Sequence, residues 1–551
     1  MNPQPPLQGT GTTRIGVDIR RYPGIRRLAG DYAHAFGPLA PFYAGNPSRA
    51  EDWQAAIERA QAHPRPRQDV ADLISTQQKR RGAPPEARAA LDQLRQDGTV
   101  AVVTGQQAGA FGGPLYTLLK AITALRLAAR VRQEHQVPAV AVFWIDSEDH
   151  DWDEVASCSV LDGDVQPRTV RLPAPPGAGN LPVGQLVLDG GVSAVLDELA
   201  EALPPTEFTA SLMTRLRSSY KPGLSASEAF GRLLEFTLGE FGLVAYDAAD
   251  PAAKPHVREV FAREVQFPGR TAELALEAGS RLVHLGYHTQ VVAHADGLSL
   301  FSLDSGRHPI RFADGMFRAG DRAWTQTALL AEVSANPAGF SPNVLLRPIV
   351  QDTLFPTVAY VAGPNELAYL GQLKPVYEHF GVPMPLMVPR VSATLLDSAG
   401  VRFLDKHEVG LEMLHAQDES VLNHLLETAL PVDVDQAYQA AAAALDGPMQ
   451  ALVRAVPAID ATLEGAARSA AGRINHELKG LHTKIIHAAK RRDETLRRQF
   501  TRTRAQAFPG GQAQERAIGF VSFLNRYGPG LVDQLVGGLP IDPGAHWVVT
   551  V

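Results

Sequence analysis

TVAVVTGQQAGAFGGPLYTLLKAITALRLAARVRQEHQVPAVAVFWIDSEDHDWDE, Thr99 to Glu154, joins two apolar runs, a glycine-rich turn, a helical segment and an acidic loop without a gap. Val100–Thr104 is β-branched and Val137–Ile145 is a longer apolar run, the pattern of strands buried on both faces. Between them Leu115, Leu118, Leu119, Ile122, Leu125, Leu127, Ala128 and Val131 recur at helical spacing over Leu115–Val131. The reading is a βαβ unit with a right-handed crossover. Open sheets of this kind bind ligands at the carboxyl ends of their strands. At the first such end Gly105, Gly109, Gly112 and Gly113 let a ligand approach main-chain N–H groups, and Pro114 opens a helix whose N-terminus favours an anion. At the second stand Asp146, Glu148, Asp149, His150, Asp151, Asp153 and Glu154, a set suited to an ammonium group, sugar hydroxyls or Mg²⁺. The competing reading makes the glycines turn geometry alone and the acidic loop a solvated face. Neither GxGxxG nor GxxxxGK[ST] occurs, so nucleotide use would follow another pattern.

Working outward, 551 residues exceed one core and predict two to four domains. A hydrophobic fraction of 45% supports large cores, and a net charge of −7 gives no global attraction for nucleic acid. The single cysteine, Cys158, forms no internal disulfide and reads as a buried structural thiol. No leader pattern or membrane-length apolar run is present, and a cytoplasmic protein is expected.

The expected organisation starts with an N-terminal helical extension, 1–98, comprising a proline-rich mobile leader and short helices at Asp31–Phe42, Glu51–His63 and Glu86–Gln96. Its Arg65, Arg67, Lys79, Arg80 and Arg81 read as a solvated basic surface. Residues 99–161 form the first half of a Rossmann-like core. Residues 162–340 form an insertion, with helices at Ser193–Leu203 and Ala226–Phe241 and strand-like runs at Leu243–Tyr246 and Thr289–Leu303. The second half, 341–395, supplies a strand at Val358–Ala362, a turn at Gly363–Glu366 with Asn365 as N-cap, a helix at Leu367–Phe380 and a strand at Met384–Val388. Residues 396–506 form a coiled-coil arm: Asp433–Ala455, with Pro448 a candidate kink, a turn capped by Asp460, and a helix to about Arg504. Leu463, Ala466, Ala470, Ile474, Leu478, Leu481, Ile485 and Ala488 mark its seam, and at ~1.5 Å per residue the arm would reach roughly 65 Å. Such an arm predicts a homodimer. Its basic end, Lys479 to Arg504, lacks aromatic residues for base stacking and reads as a solvated face rather than an RNA site. Residues 507–551 are apolar enough to return to the core.

TGQQAGAFGGPLYTLLKAITA and VFWIDSEDHDWDEV resemble, over long words, the bacterial cysteine-adding ligases that complete bacillithiol synthesis. So do SPNVLLRPIVQDTLFPTVAYVAGPNELAYLGQLKPVY (341–377), PLMVPRVSATLLD (385–397) and AFPGGQAQERAIGFVSFLNRYGPGLVDQL (507–535). The resemblance covers essentially the whole chain. It implies attachment of cysteine to the amine of glucosamine-malate, with activation by ATP and Mg²⁺. The split sheet is similar in outline to class I aminoacyl-tRNA synthetases, although Leu115-Tyr116-Thr117 lacks their paired histidines and PRVSAT (389–394), at the place of their late mobile loop, lacks its lysines.

On this resemblance Gly105, Gln106, Gln107, Gly112, Gly113 and the N–H groups around Tyr116 and Thr117 would hold a phosphate or malate-like anion. Asp146, Glu148, Asp149 and Asp151 would hold the cysteine ammonium or glucosamine hydroxyls, with Thr104, Trp144, Asn365 and Glu366 completing the substrate set. His150 would be the general base, acting with Asp149 and Glu148. Lys120, Arg390, Ser392 and Thr394 would contact ATP or ADP. No zinc or other metal ligand set is expected, since His150 with carboxylates is a poor thiolate-selecting site. The other readings are a metal-assisted hydrolase using Glu148–Asp151 and a non-catalytic dimeric scaffold or RNA binder.

Overall fold

The computed structural model describes residues 14–289, 296–428, 432–492 and 494–551. The leader, 1–13, and part of the run expected at Thr289–Leu303 lie outside the described residues. The chain divides into two compact units, one ending at Leu395 and regaining Ala513–Val549, the other spanning Leu396–Gln512.

The first unit is built on five parallel strands: β1 (Val100–Gln107), β2 (Ala139–Asp146), β3 (Val244–Asp247), β4 (Thr357–Ala362) and β5 (Leu386–Pro389). They lie in the order β5-β4-β1-β2-β3, the Rossmann order, with its reversal between β1 and β4. β1 is central because every residue from Val100 to Gly105 is buried, as a strand covered on both faces requires. Helix α1 (Leu115–Glu134) covers one face and runs one turn beyond Val131. Its Leu118, Leu119 and Ile122 are fully buried, each contributing about 2 kcal/mol of apolar burial.

The expectation that 162–340 lies outside the sheet is corrected by β3, which pairs with β2 from Val142↔Val244 to Ile145↔Asp247. Four residues at a sheet edge carry too little pattern to reveal which sheet they join. Between β3 and β4 stands an antiparallel sheet whose strands include Gly297–Ser302, His308–Ala313 and Phe340–Pro342. The expected Leu367–Phe380 helix is broken into Glu366–Leu370 and Lys374–Phe380, the second starting with Pro375 in its first turn. Asn365 makes no side-chain cap. The Glu366 carboxylate instead accepts the Gly363 N–H at 2.5 Å.

In the N-terminal part, Asp31–Phe42 is a helix over Arg27–His34 followed by a 3-10 turn, and an unexpected helix spans Arg67–Arg81. Its basic residues are only partly solvated. Buried Arg81 pairs with Glu235 at 2.8 Å and donates to the Ala245 carbonyl of β3 at 2.7 Å. Arg65 donates to the carbonyls of Ala60 and Asp352, and Arg67 to that of Thr99. Lys79 and Arg80 are exposed. Cys158 is buried, and burial pushes its thiol up to about 12, as suits a structural residue.

PRVSAT is not a mobile loop. Ser392–Leu396 is a strand in a three-stranded sheet with Ala545–Thr550 and Arg14–Asp18. Arg390 makes a two-pronged pair with Glu515 at 2.9 and 2.7 Å, Ser392 reaches Glu515 and His546 Nδ1, and Thr394 reaches His546 Nε2 at 2.8 Å. All are buried, which fastens the returning segment to the core.

That segment also closes the helix start. Ile518 O accepts the Leu115 N–H at 2.8 Å, and Phe520 lies over Gly112. Gly112 has φ +92°, and a Cβ there would overlap the Phe520 ring.

In the second unit the helices Val432–Ala455 and Leu463–Arg492 meet where Tyr438 stacks on His482 at 3.9 Å, with Ile486 buried. Pro448 stands inside the first helix, and Asp460 accepts the Thr462 N–H at 2.8 Å. Ile486 is the seam residue the periodicity missed, while Leu463 and Leu481 are exposed. The last helix, Glu494–Ala507, packs Phe500 near Phe403, and the basic run is partly engaged: Arg502 pairs with Asp397 at 3.1 Å and Arg504 donates to Asp418 O.

Gly112→Ala should destabilise the protein by about 2–4 kcal/mol, the sum of a left-handed backbone and an overpacked core. Gly37→Ala, where a Cβ meets nothing within 4 Å, should cost almost nothing. Urea unfolding reads both, and equal midpoints would refute the packing role.

Candidate functional site

At the reversal between β1 and β4 the carboxyl ends of β1, β2 and β4 open into a cavity of about 440 Å³. Gly105, Gln106 and Gln107 come from β1; Asp146, Glu148, Asp149 and Glu154 come from the end of β2 and the acidic loop. Glu366 follows β4, and the antiparallel sheet with the segment behind it supplies Phe301, Arg307, Asn343 and Arg347. Five carboxylates thus face two guanidinium groups.

The acidic loop is ordered by internal bonds. Asp149 accepts the His150 N–H at 2.8 Å and the Gln107 side-chain amide at 2.8 Å, and Arg307 stands 3.3 Å from it. Burial pushes the Asp149 carboxyl up, but the Arg307 guanidinium and these hydrogen bonds outweigh it and hold it below its ordinary value. Arg307 is itself fixed by the Pro342 carbonyl, Ser341 and the face of Phe301 at 3.7 Å. Arg347, nearly buried, sits 3.7 Å from Asp146. Asp146, Glu148 and Glu154 are all displaced upward, chiefly by burial; Arg347 opposes the shift at Asp146, Lys254 at Glu148 and Gln107 at Glu154. Glu148 is ion-paired with Lys254, both side chains being almost wholly buried.

The cavity brings together Gly105, Gln106, Gln107, Asp146, Glu148, Asp149 and Glu366 from the expected set. His150 is at the rim, its Nδ1 3.2 Å from both Asp149 and an Arg307 N–H, so it braces that pair rather than lining the cavity. Asp151 caps the short helix Trp152–Val155, and Asn365 also lies outside the lining. Thr104 spends its hydroxyl on Val361 O, and Trp144 is packed on Tyr246 in the core. Gly112 and Gly113 turn their N–H groups to the carbonyls of Gly109 and Ala110; Thr117 is buried and its N–H is taken by Pro114 O. Tyr116 accepts from Gln106 at 3.3 Å with its ring near Arg390 and Arg516. The Gly112, Gly113 and Thr117 N–H groups are thus met within the chain, while Gly105, Gln106 and Gln107 of the same expected set line the cavity.

The nucleotide contacts fare likewise. Arg390, Ser392 and Thr394 are consumed by Glu515 and His546, and buried Lys120 bridges Gly105 O, Gln106 and Glu366 at 2.8, 3.1 and 3.0 Å. None of these four lines the cavity. Sequence reasoning missed Arg307 and Arg347. Arg347 had a signal, a lone guanidinium inside the apolar run NVLLRPIV, whereas Arg307 follows an ordinary-looking turn.

A Rossmann-like sheet with a two-signed pocket at its reversal, and a helical arm as a separate unit, defines a small-molecule-binding α/β protein with a coiled-coil domain. The family described as bacillithiol biosynthesis BshC matches in two parts, its N-terminal Rossmann-like domain over residues 17–391 and its C-terminal coiled-coil domain over 393–551. Relatives named "Putative cysteine ligase BshC" include one from Salinibacter ruber, 36% identical over 95% of both chains. Others come from Koribacter versatilis, 33% identical over 97% of this chain and 99% of the relative, and Symbiobacterium thermophilum, 32% identical over 96% and 99%. The chain belongs to this BshC family.

Because the Glu154 carboxyl is displaced upward, its ionised form is less favoured folded than unfolded, so Glu154 costs stability at neutral pH and nothing once both states are protonated. Glu154→Gln should raise the thermal midpoint near neutral pH and leave it unchanged below the ordinary glutamate value of 4.5. A lowered midpoint at neutral pH would show that Glu154 is held by a cation instead.

Proposed function

We propose that the chain catalyses the last step of bacillithiol synthesis, forming an amide between the cysteine carboxyl and the amine of glucosamine-malate. The observation that carries this reading is the pairing of Arg307 and Arg347 with carboxylates across one cavity. The guanidinium groups suit the malate carboxylates, and the carboxylates suit sugar hydroxyls and an amine. The attacking amine must lose a proton. Asp146, Glu148 and Glu154, displaced upward, accept it more readily than Asp149, which stays ionised and holds Arg307 in place. Amide formation from a free carboxylate is uphill in water and calls for an activated acyl group. The four residues expected to hold ATP or ADP are engaged elsewhere, so no step is assigned to a nucleotide here.

Mass spectrometry of the protein incubated with cysteine and glucosamine-malate, with and without ATP and Mg²⁺, tests the reaction. The cysteinyl conjugate is the expected product, and its absence with every activating mixture would overturn the proposal. Arg347→Gln and Arg307→Gln should each raise KM for glucosamine-malate ~10- to 100-fold, the loss of one charge-assisted hydrogen bond.

The arm supports a homodimer. Leu452, Ile459 and Leu481 expose apolar side chains, Ile459 at 86%. Light scattering should give the mass of two chains, and Ile459→Asp combined with Leu481→Asp should give one. A dimer unaffected by both changes would place the interface elsewhere.

A further inference from the structure

A second cavity, of about 390 Å³, opens beside the first at the carboxyl end of β3. The two share one residue, Glu148, and its partner Lys254 lines only the second. The Glu148–Lys254 pair, with 5% and 4% of its side chains exposed, is therefore the partition between two chambers. Lys254 has three N–H donors, and among the described residues only Glu148 accepts from it, which leaves donors for a ligand carboxylate. Away from the partition the lining is acidic. Asp250, fixed by Gln77 at 3.0 Å and the Ala252 N–H at 3.1 Å, has Arg80 only loosely placed at 3.9 Å, and Glu228, whose Oε1 accepts from Arg232 at 2.9 Å, lines the same space. A purely anionic ligand would meet these carboxylates, and a purely cationic one would meet Lys254.

We propose that this second cavity is an amino-acid chamber that takes a small zwitterion, with its carboxylate on Lys254 at the partition and its ammonium on Asp250 and Glu228. Resting on the proposed function, the amino acid is L-cysteine. Its carboxyl carbon then faces the first cavity, where the amine of the sugar conjugate waits. Two chambers divided by one ion pair let each substrate bind without displacing the other.

Calorimetric titration of the full-length protein under reducing conditions tests this. Asp250→Asn should weaken L-cysteine binding about tenfold or more and leave glucosamine-malate affinity unchanged, and Lys254→Gln should weaken L-cysteine binding at least as much, whereas Arg347→Gln should weaken glucosamine-malate binding and leave L-cysteine affinity unchanged. Without any variant, saturating glucosamine-malate should not displace L-cysteine. Displacement, or unaltered cysteine binding in folded Asp250→Asn and Glu228→Gln proteins, would overturn the chamber. Binding of a different L-amino acid with the same sensitivity to Asp250→Asn would support the chamber and refute cysteine as the substrate. Binding of glucosamine-malate but of no amino acid would refute the chamber while leaving the first cavity's reading intact.

Discussion

A single buried ammonium holds the two halves of the site together. Lys120, on the first turns of α1, has only 3% of its side chain exposed. Burying an uncompensated charge costs several kcal/mol, so its three N–H donors must all be met. They are met by Gly105 O and Gln106 at the end of β1 and by Glu366 at the end of β4, residues separated by 261 positions of chain between Gly105 and Glu366. All three acceptor residues line the cavity. The same contact that satisfies the lysine therefore sets the width of the pocket at the sheet's reversal, and burial, which pulls the ammonium value down, is opposed by Glu366.

Around that point the site is assembled from distant pieces that constrain one another. Gln107 and Arg307 hold Asp149, Phe301 and Pro342 hold Arg307, and Lys254 holds Glu148. Because each charged group is fixed before any ligand arrives, less ordering remains to be done on binding. The segment between β3 and β4 is what allows this, since it delivers both guanidinium groups over a cavity otherwise lined by strand ends, the acidic loop and the residues that follow β4.

How much was legible in the sequence follows the range of the forces involved. β1, β2 and α1 were read because their burial repeats over many neighbouring residues. β3 was read as a strand-like run at Leu243–Tyr246 but not placed in this sheet, because four residues at a sheet edge look the same whichever sheet receives them. Asp146, Glu148 and Asp149 were found because they follow a buried strand in the same chain segment. The contacts of Gly112, Arg390, Ser392 and Thr394 were not legible because Phe520, Glu515 and His546, which make them, lie more than a hundred residues away. Local pattern showed which groups can bind an anion, but not which had already been occupied by the chain's own return.

A crystal structure of the protein with glucosamine-malate is the most direct measurement. The account predicts the malate carboxylates within hydrogen-bond distance of Arg307 and Arg347 in the cavity between β1 and β4, with the Leu115 N–H still bonded to Ile518 O. A ligand seated instead at Gly112–Gly113 and the start of α1, with Phe520 displaced, would contradict it.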